Sequence, residues 1–130
     1  MASTFATTPS SFQEYIKAAD VERTMTSATE LMTIPKGFTI TGMTLVGTAS
    51  NAGTSATLSV GTAASGTAYV NARDVKTAAT GTGLMPLTLA ADHQAALTAD
   101  TKITATYAET GTASSDGDWI LYVRYAFVKK

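Results

Sequence analysis

The sequence predicts an all-β chain folded as an antiparallel two-sheet sandwich, jelly-roll-like, with a short N-terminal arm that carries one helix. Three observations lead there. From about residue 21 the apolar residues fall into short alternating runs, clusters of Gly, Asn, Asp and Ser break those runs roughly every ten residues, and the connections between runs are mostly hairpin-length. Seven or eight strands of that kind suit two packed layers better than one open sheet. The 130 residues fit a single globular unit, so we divide the chain into an arm, 1–20, and a sandwich domain, 21–130.

The arm reads as a small-residue tail followed by a helix over 11–19. Ser11 and Glu14 have capping-box spacing, and Phe12, Tyr15, Ile16 and Ala19 share one helical face. A helix this short is not stable alone, so its aromatic stripe needs a surface to lie on. A first strand is expected over 21–34, stopped by Pro35 ahead of a Lys36-Gly37 turn. In the next run Phe38 and Ile40 share a face on even positions, whereas Met43 and Leu45 share one on odd positions, which predicts a β-bulge at Gly42.

Ser50-Asn51-Ala52-Gly53 marks a turn, and Ala56, Leu58 and Val60 point inward on a strand expected to form a tight hairpin with 38–48. Residues 63–66 form another turn, 68–75 a weaker strand and 77–83 a loop. Pro86 confines the strand at 84–89 to a sheet edge, because its missing N–H would break a central ladder. Residues 90–100 read as a loop. Ile103, Ala105 and Tyr107 face inward on the next strand, and 110–118 reads as a long hairpin loop. The last run, 119–128, is apolar on both faces, which places it centrally with an outer face seeking cover.

Composition narrows function. Thr, Ala and Ser number 25, 23 and 10, and Leu, Ile, Val and Phe together only 24, yet a net charge of −1 argues against disorder of the whole chain. The absence of Cys and the single His93 remove thiolate nucleophiles, disulfides, His-pair metal sites and Ser-His machinery, so catalysis and cofactors are not expected. Near-balanced charge offers no field for nucleic acid, no apolar run suits a membrane span, and Met1-Ala2-Ser3-Thr4-Phe5 does not read as a secretory signal.

Asp116-Gly117-Asp118 could offer two carboxylates to calcium, but Asp-Gly is a common turn former and the further ligands of a calcium loop are missing. The pairs Asp74 with Lys76 and Glu22 with Arg23 read as strand-edge solubility, and Thr80-Gly81-Thr82-Gly83 lacks the Lys of a phosphate loop. Aromatic residues weigh more. Trp119, Tyr107 and Phe127 are expected in the core, whereas Tyr122, Arg124 and the arm residues Phe5, Phe12, Tyr15 and Ile16 are candidate interface residues.

Four phrases, Ile34-Pro35-Lys36-Gly37-Phe38-Thr39-Ile40-Thr41-Gly42, Thr57-Leu58-Ser59-Val60-Gly61-Thr62, Ala68-Tyr69-Val70 with Asp74-Val75, and Asp118-Trp119-Ile120-Leu121-Tyr122-Val123-Arg124-Tyr125, carry a resemblance across about residues 31–128. The chain resembles small structural proteins of tailed bacteriophage virions and is most similar to β-sandwich head decoration, or cement, proteins. That resemblance implies a non-enzymatic virion component, made in the host bacterial cytoplasm, that sits on the capsid exterior. Its implied partners are the major capsid protein, whose neighbouring subunits it would bridge, and itself, as a homotrimer or alternatively a dimer, with no nucleic acid and no membrane. Two rival readings stand beside it: a tail or fibre adaptor, and a carbohydrate-binding sandwich that stacks sugars on Trp119 or Tyr69.

Overall fold

The computed structural model describes residues 12–90 and 95–128. Within them the strands are β1 (Phe12–Glu22), β2 (Thr29–Ile34), β3 (Phe38–Gly47), β4 (Ser55–Thr62), β5 (Val70–Asp74), β6 (Gly83–Leu87), β7 (Thr101–Thr110) and β8 (Asp118–Val128), with one helical turn, α1 (Ala78–Gly81), before β6. They form two four-stranded sheets, β1-β8-β3-β6 and β2-β7-β4-β5. First pairs with last, second with second-last, and so inward to the β4–β5 hairpin, all antiparallel. This is a long hairpin rolled upon itself, the jelly roll, in which most consecutive strands lie in opposite sheets.

That rolling explains two corrections. The 48–54 segment does not close a hairpin between β3 and β4, because it crosses from one sheet to the other and β4 pairs with β7 and β5 instead. The crossing is pinned inside the molecule: Ser50 N–H donates to Val75 O (2.8 Å), and the Ser50 and Tyr107 hydroxyls share a hydrogen bond of 2.6 Å. Likewise the 110–118 segment joins β7 to β8 across the sandwich and is not a hairpin loop.

The expected helix over 11–19 is instead strand β1, paired with β8 in unbroken register from Phe12↔Val128 to Glu22↔Asp118. A lone short helix gains one weak stripe, whereas this segment gains a full ladder along a neighbouring edge, and the ladder prevails. As a strand it sends Tyr15, Ala19 and Val21 inward and leaves Ile16 outward and 62% exposed. Residues 12–20 thus belong to the sheet. Ser11 and Phe5 lie outside the described residues, as does His93.

The expected strand over 21–34 divides into the end of β1 and β2, separated by a turn in which Met25 N–H bonds Glu22 O. Three other readings hold in detail. The register shifts between Ile40 and Gly42, as the change of apolar phase requires. Gly37 takes φ +90° in the turn after Pro35, and Pro86 sits on the edge strand β6. The core lies between the sheets, around Leu45, Leu58, Val60, Ile103, Tyr107, Leu121 and Val123. Trp119 is in it, 2% exposed and 5.7 Å from the Tyr107 ring. Phe127 is not: it is 47% exposed at the end of β8, where the sandwich opens.

Candidate functional site

The outer side of the β1-β8-β3-β6 sheet is the candidate site, and its makeup follows from strand alternation. Residues opposite in register carry their side chains to the same face, so Ile16 and Arg124 share a row, Ala18, Tyr122, Thr44 and Pro86 the next, and Asp20, Ile120, Val46 and Leu84 the one after. Leu84 is 73% and Ile120 is 37% exposed. Between them a shallow groove of about 350 Å³ is lined by Ile16, Thr44, Val46, Leu84, Tyr122 and Arg124. Nothing among the described residues lies over this face, which makes it a sheet face that is apolar and unpartnered.

Arg124 is the one cation in these rows, and its placement is built. Gly42 faces it across the ladder, and a Cβ there would come within 2.1 Å of Nη2, so the glycine at the bulge is what lets the guanidinium lie across β3. Its Nη1 donates to Thr44 Oγ1 at 3.0 Å, and it has no acidic partner among the described residues.

An aromatic cluster, exposed at Tyr15 and Phe127 and buried at Tyr125, occupies the end of the sandwich where β1 begins and β8 finishes. Tyr15 stacks on Tyr125 (5.7 Å), and Phe38 meets Tyr15, Tyr125 and Phe127 at 5.8, 5.2 and 5.4 Å. Lys17 Nζ lies 5.9 Å over the Tyr125 ring and donates to Thr33 O at 2.8 Å, tying β1 to the other sheet. The chain enters the described structure at this end through Phe12, whose strand position is fixed though its side chain is not described.

The opposite end is polar, and its carboxylates are held by their own loops. The Ser114 hydroxyl and backbone N–H both donate to the Glu109 carboxylate and hold its pKa below the ordinary value. The backbone N–H of Lys76, then the side chain of Thr77, do the same for Asp74. Asp116 Oδ1 accepts the Gly117 N–H at 2.9 Å, the geometry of a turn, and among the described residues no three His, Cys, Asp or Glu side chains converge as metal ligands would. Trp119 and Tyr69 are both buried, so neither presents a ring face on which a sugar could stack. Burial raises the Tyr69 pKa.

The candidate residues therefore separate. Ile16, Tyr122 and Arg124 come together on the outer sheet face, Tyr15 joins the aromatic end, and Phe5 is outside the described residues. Val46, Leu84 and Ile120 complete the face, and Phe38 with Phe127 completes the aromatic end. These five were not among the sequence candidates. Once β1 is read as a strand, their positions follow from alternation.

A sandwich of this topology is a jelly roll, a fold that hosts many unrelated functions. Among solved structures, the chain is similar in fold to a chain of the cyanophage Pam1 capsid asymmetric unit, with TM-score 0.73 and 22% identity over 98% of this chain and 92% of that one. It is also similar to a chain of the acidic stable capsid of Helicobacter pylori bacteriophage KHP30, with TM-score 0.65 and 13% identity over 89% of this chain and 93% of that one. No family model matches the sequence, and no curated protein matches it.

Proposed function

We propose that this chain is a non-enzymatic structural component of a phage virion, a decoration or cement protein that binds the outside of the assembled head and stabilises it by bridging major capsid subunits. One observation carries the reading: the fold likeness runs nearly end to end in both directions with chains that belong to two phage capsids. In those shells a single small sandwich makes up nearly the whole of each matching chain. The uncovered apolar face supports the same reading, because a protein that acts by association needs such surface and an enzyme needs a concave site with converging polar groups.

The mechanism is interface burial. A module that binds the assembled lattice and not dispersed subunits stabilises the lattice by mass action, multiplied over many sites. We assign head contact to the aromatic end, Tyr15 with Phe38 and Phe127, together with the residues leading into it, Phe5 and Phe12. Ile16, Tyr122 and Arg124 are assigned to contact between copies.

Co-sedimentation of the full chain with assembled heads and with dispersed capsid subunits tests this. The expected result is binding to heads alone, lost when residues 1–11 are removed. A deletion reaching residue 19 would instead strip an edge strand and confound binding with folding. Failure to bind heads contradicts the reading, and binding to isolated tails instead supports the adaptor.

A further inference from the structure

The outer face of β1-β8-β3-β6 is electrostatically polarised along the strands. At one end Glu22 and Asp118 stand directly opposite each other in the β1–β8 register, with Asp20 two residues along the same face, around a groove of about 510 Å³ shared with Val46 and Ile120. Like charges facing each other across a ladder are destabilising in the free chain. At the other end stands Arg124, which makes no ion pair among the described residues, with Ile16 in its row and, one row further out, Glu14, whose carboxylate accepts from Thr41 Oγ1. This end is therefore close to neutral while the first carries three carboxylates, and between them lie Tyr122 and Ile120.

From these observations we propose that a second copy of this chain covers the face, related by a two-fold that lies between the sheets and runs across the strands near Leu121. Such an axis lays β8 antiparallel over its counterpart. It places Arg124 of each copy over the Glu22–Asp118 end of the other and closes Tyr122 and Ile120 into a dry centre. A two-fold along the strands would instead set Arg124 against Arg124. The six steps from Asp118 to Arg124 span about 20 Å of strand, and two faces can pack aligned at about 10 Å. The contact is isologous, so each dimer makes the charge pairing twice. A face of four strands by that length is roughly 400 Å² per copy, below the size of a standard specific interface, so the dimer is expected to be weak and to form in the upper part of the concentration series.

This inference rests on the assembly reading above but fails separately from it, since head binding is measured without reference to the dimer. The experiment is sedimentation velocity on the full chain over a concentration series, with two variants, Arg124→Glu and the double variant Glu22→Lys with Asp118→Lys, whose folding is checked by circular dichroism and thermal melting. Wild type should reach twice the monomer mass. Each variant alone should dissociate at least ten-fold more readily, and an equimolar mixture of the two should regain the dimer, because the swapped charges then meet opposite charges at both contacts. Should either variant fail to fold, Arg124→Gln with and without added salt replaces it, and the expected result is a weaker dimer that no longer responds to salt as wild type does. A wild-type monomer at all concentrations, a trimer, or a mixture that stays monomeric overturns the proposal.

Discussion

The two outer faces of the sandwich are built from the same alternation and end up chemically opposite. On β2-β7-β4-β5 the outward positions are Thr104, Thr106 and Ala108 on β7 against Gly61, Ser59 and Thr57 on β4, with the Glu30–Lys102 ion pair (3.1 Å) beside them. On β1-β8-β3-β6 they include the large apolar residues Ile16, Ile120, Tyr122, Val46 and Leu84, one guanidinium, Arg124, and the carboxylates of Glu14, Asp20, Glu22 and Asp118 toward the two ends. Where the 62–69 loop does not cover them, small hydroxyl side chains leave a strand solvated without attracting a partner. Large apolar ones cost solvation until something covers them. The chain, poor in large apolar residues overall, nevertheless spends five on one exposed face.

The largest expected effect breaks that asymmetry directly. Tyr122→Glu at the centre of the apolar face should weaken association between copies by about 2 kcal/mol, roughly 30-fold, whereas Thr106→Glu on the hydroxyl face should leave it unchanged, both read by sedimentation. Glycines sharpen the contrast. A Cβ on Gly61 would meet the backbone of Ser65 and Gly66 at 2.1–2.6 Å, where the 62–69 loop folds over the hydroxyl face, so Gly61→Ala should cost about 1–3 kcal/mol in thermal or urea melts. At Gly42 the obstacle is the far end of Arg124, which can swing, so Gly42→Ala should cost the fold less than Gly61→Ala and weaken association instead.

A smaller effect carries the opposite sign. Thr104 is buried with its hydroxyl unpartnered, and Thr104→Val should hold or raise stability by up to about 1 kcal/mol in the same melts. The smallest concerns pH. Glu109 and Asp74 have folded pKa values below their unfolded ones, so each contributes stability that is present above the ordinary carboxylate range of about 4 to 4.5 and is lost as pH falls through the lowered folded value. Melts below about pH 4 should therefore decline, with hydrogen exchange rising first at 109–118 and 74–77, and Glu109→Gln should flatten part of that decline.

Much of this fold was legible where a single residue type forces the geometry. The phase change at Gly42, the stop at Pro35 and the edge strand at Pro86 each rest on a local backbone rule, and each appears as expected. Long-range pairing was not legible. Periodicity says that 38–48 and 55–62 are strands but not that they lie in opposite sheets, and the turn residues at 50–53 suit a crossing as well as a hairpin. The segment 12–20 failed for a related reason: Tyr15 and Ala19 satisfy both periods, and only the presence of β8 beside it selects the strand. That error hid the candidate face, because a helical stripe groups Ile16 with Tyr15, whereas the strand sends them to opposite sides. Tyr122 and Arg124 were visible because β8 is apolar on both faces. Leu84 and Val46 were not, because their neighbours in space come from other strands.

The central claim, that this chain acts by covering a capsid lattice, is tested most directly by imaging heads assembled with and without it. The account predicts additional density on the outer surface, repeated at lattice-related positions in hundreds of copies and fitted by this sandwich with its aromatic end toward the shell. Heads identical in both preparations, or the chain confined to a few copies at the tail, would contradict it.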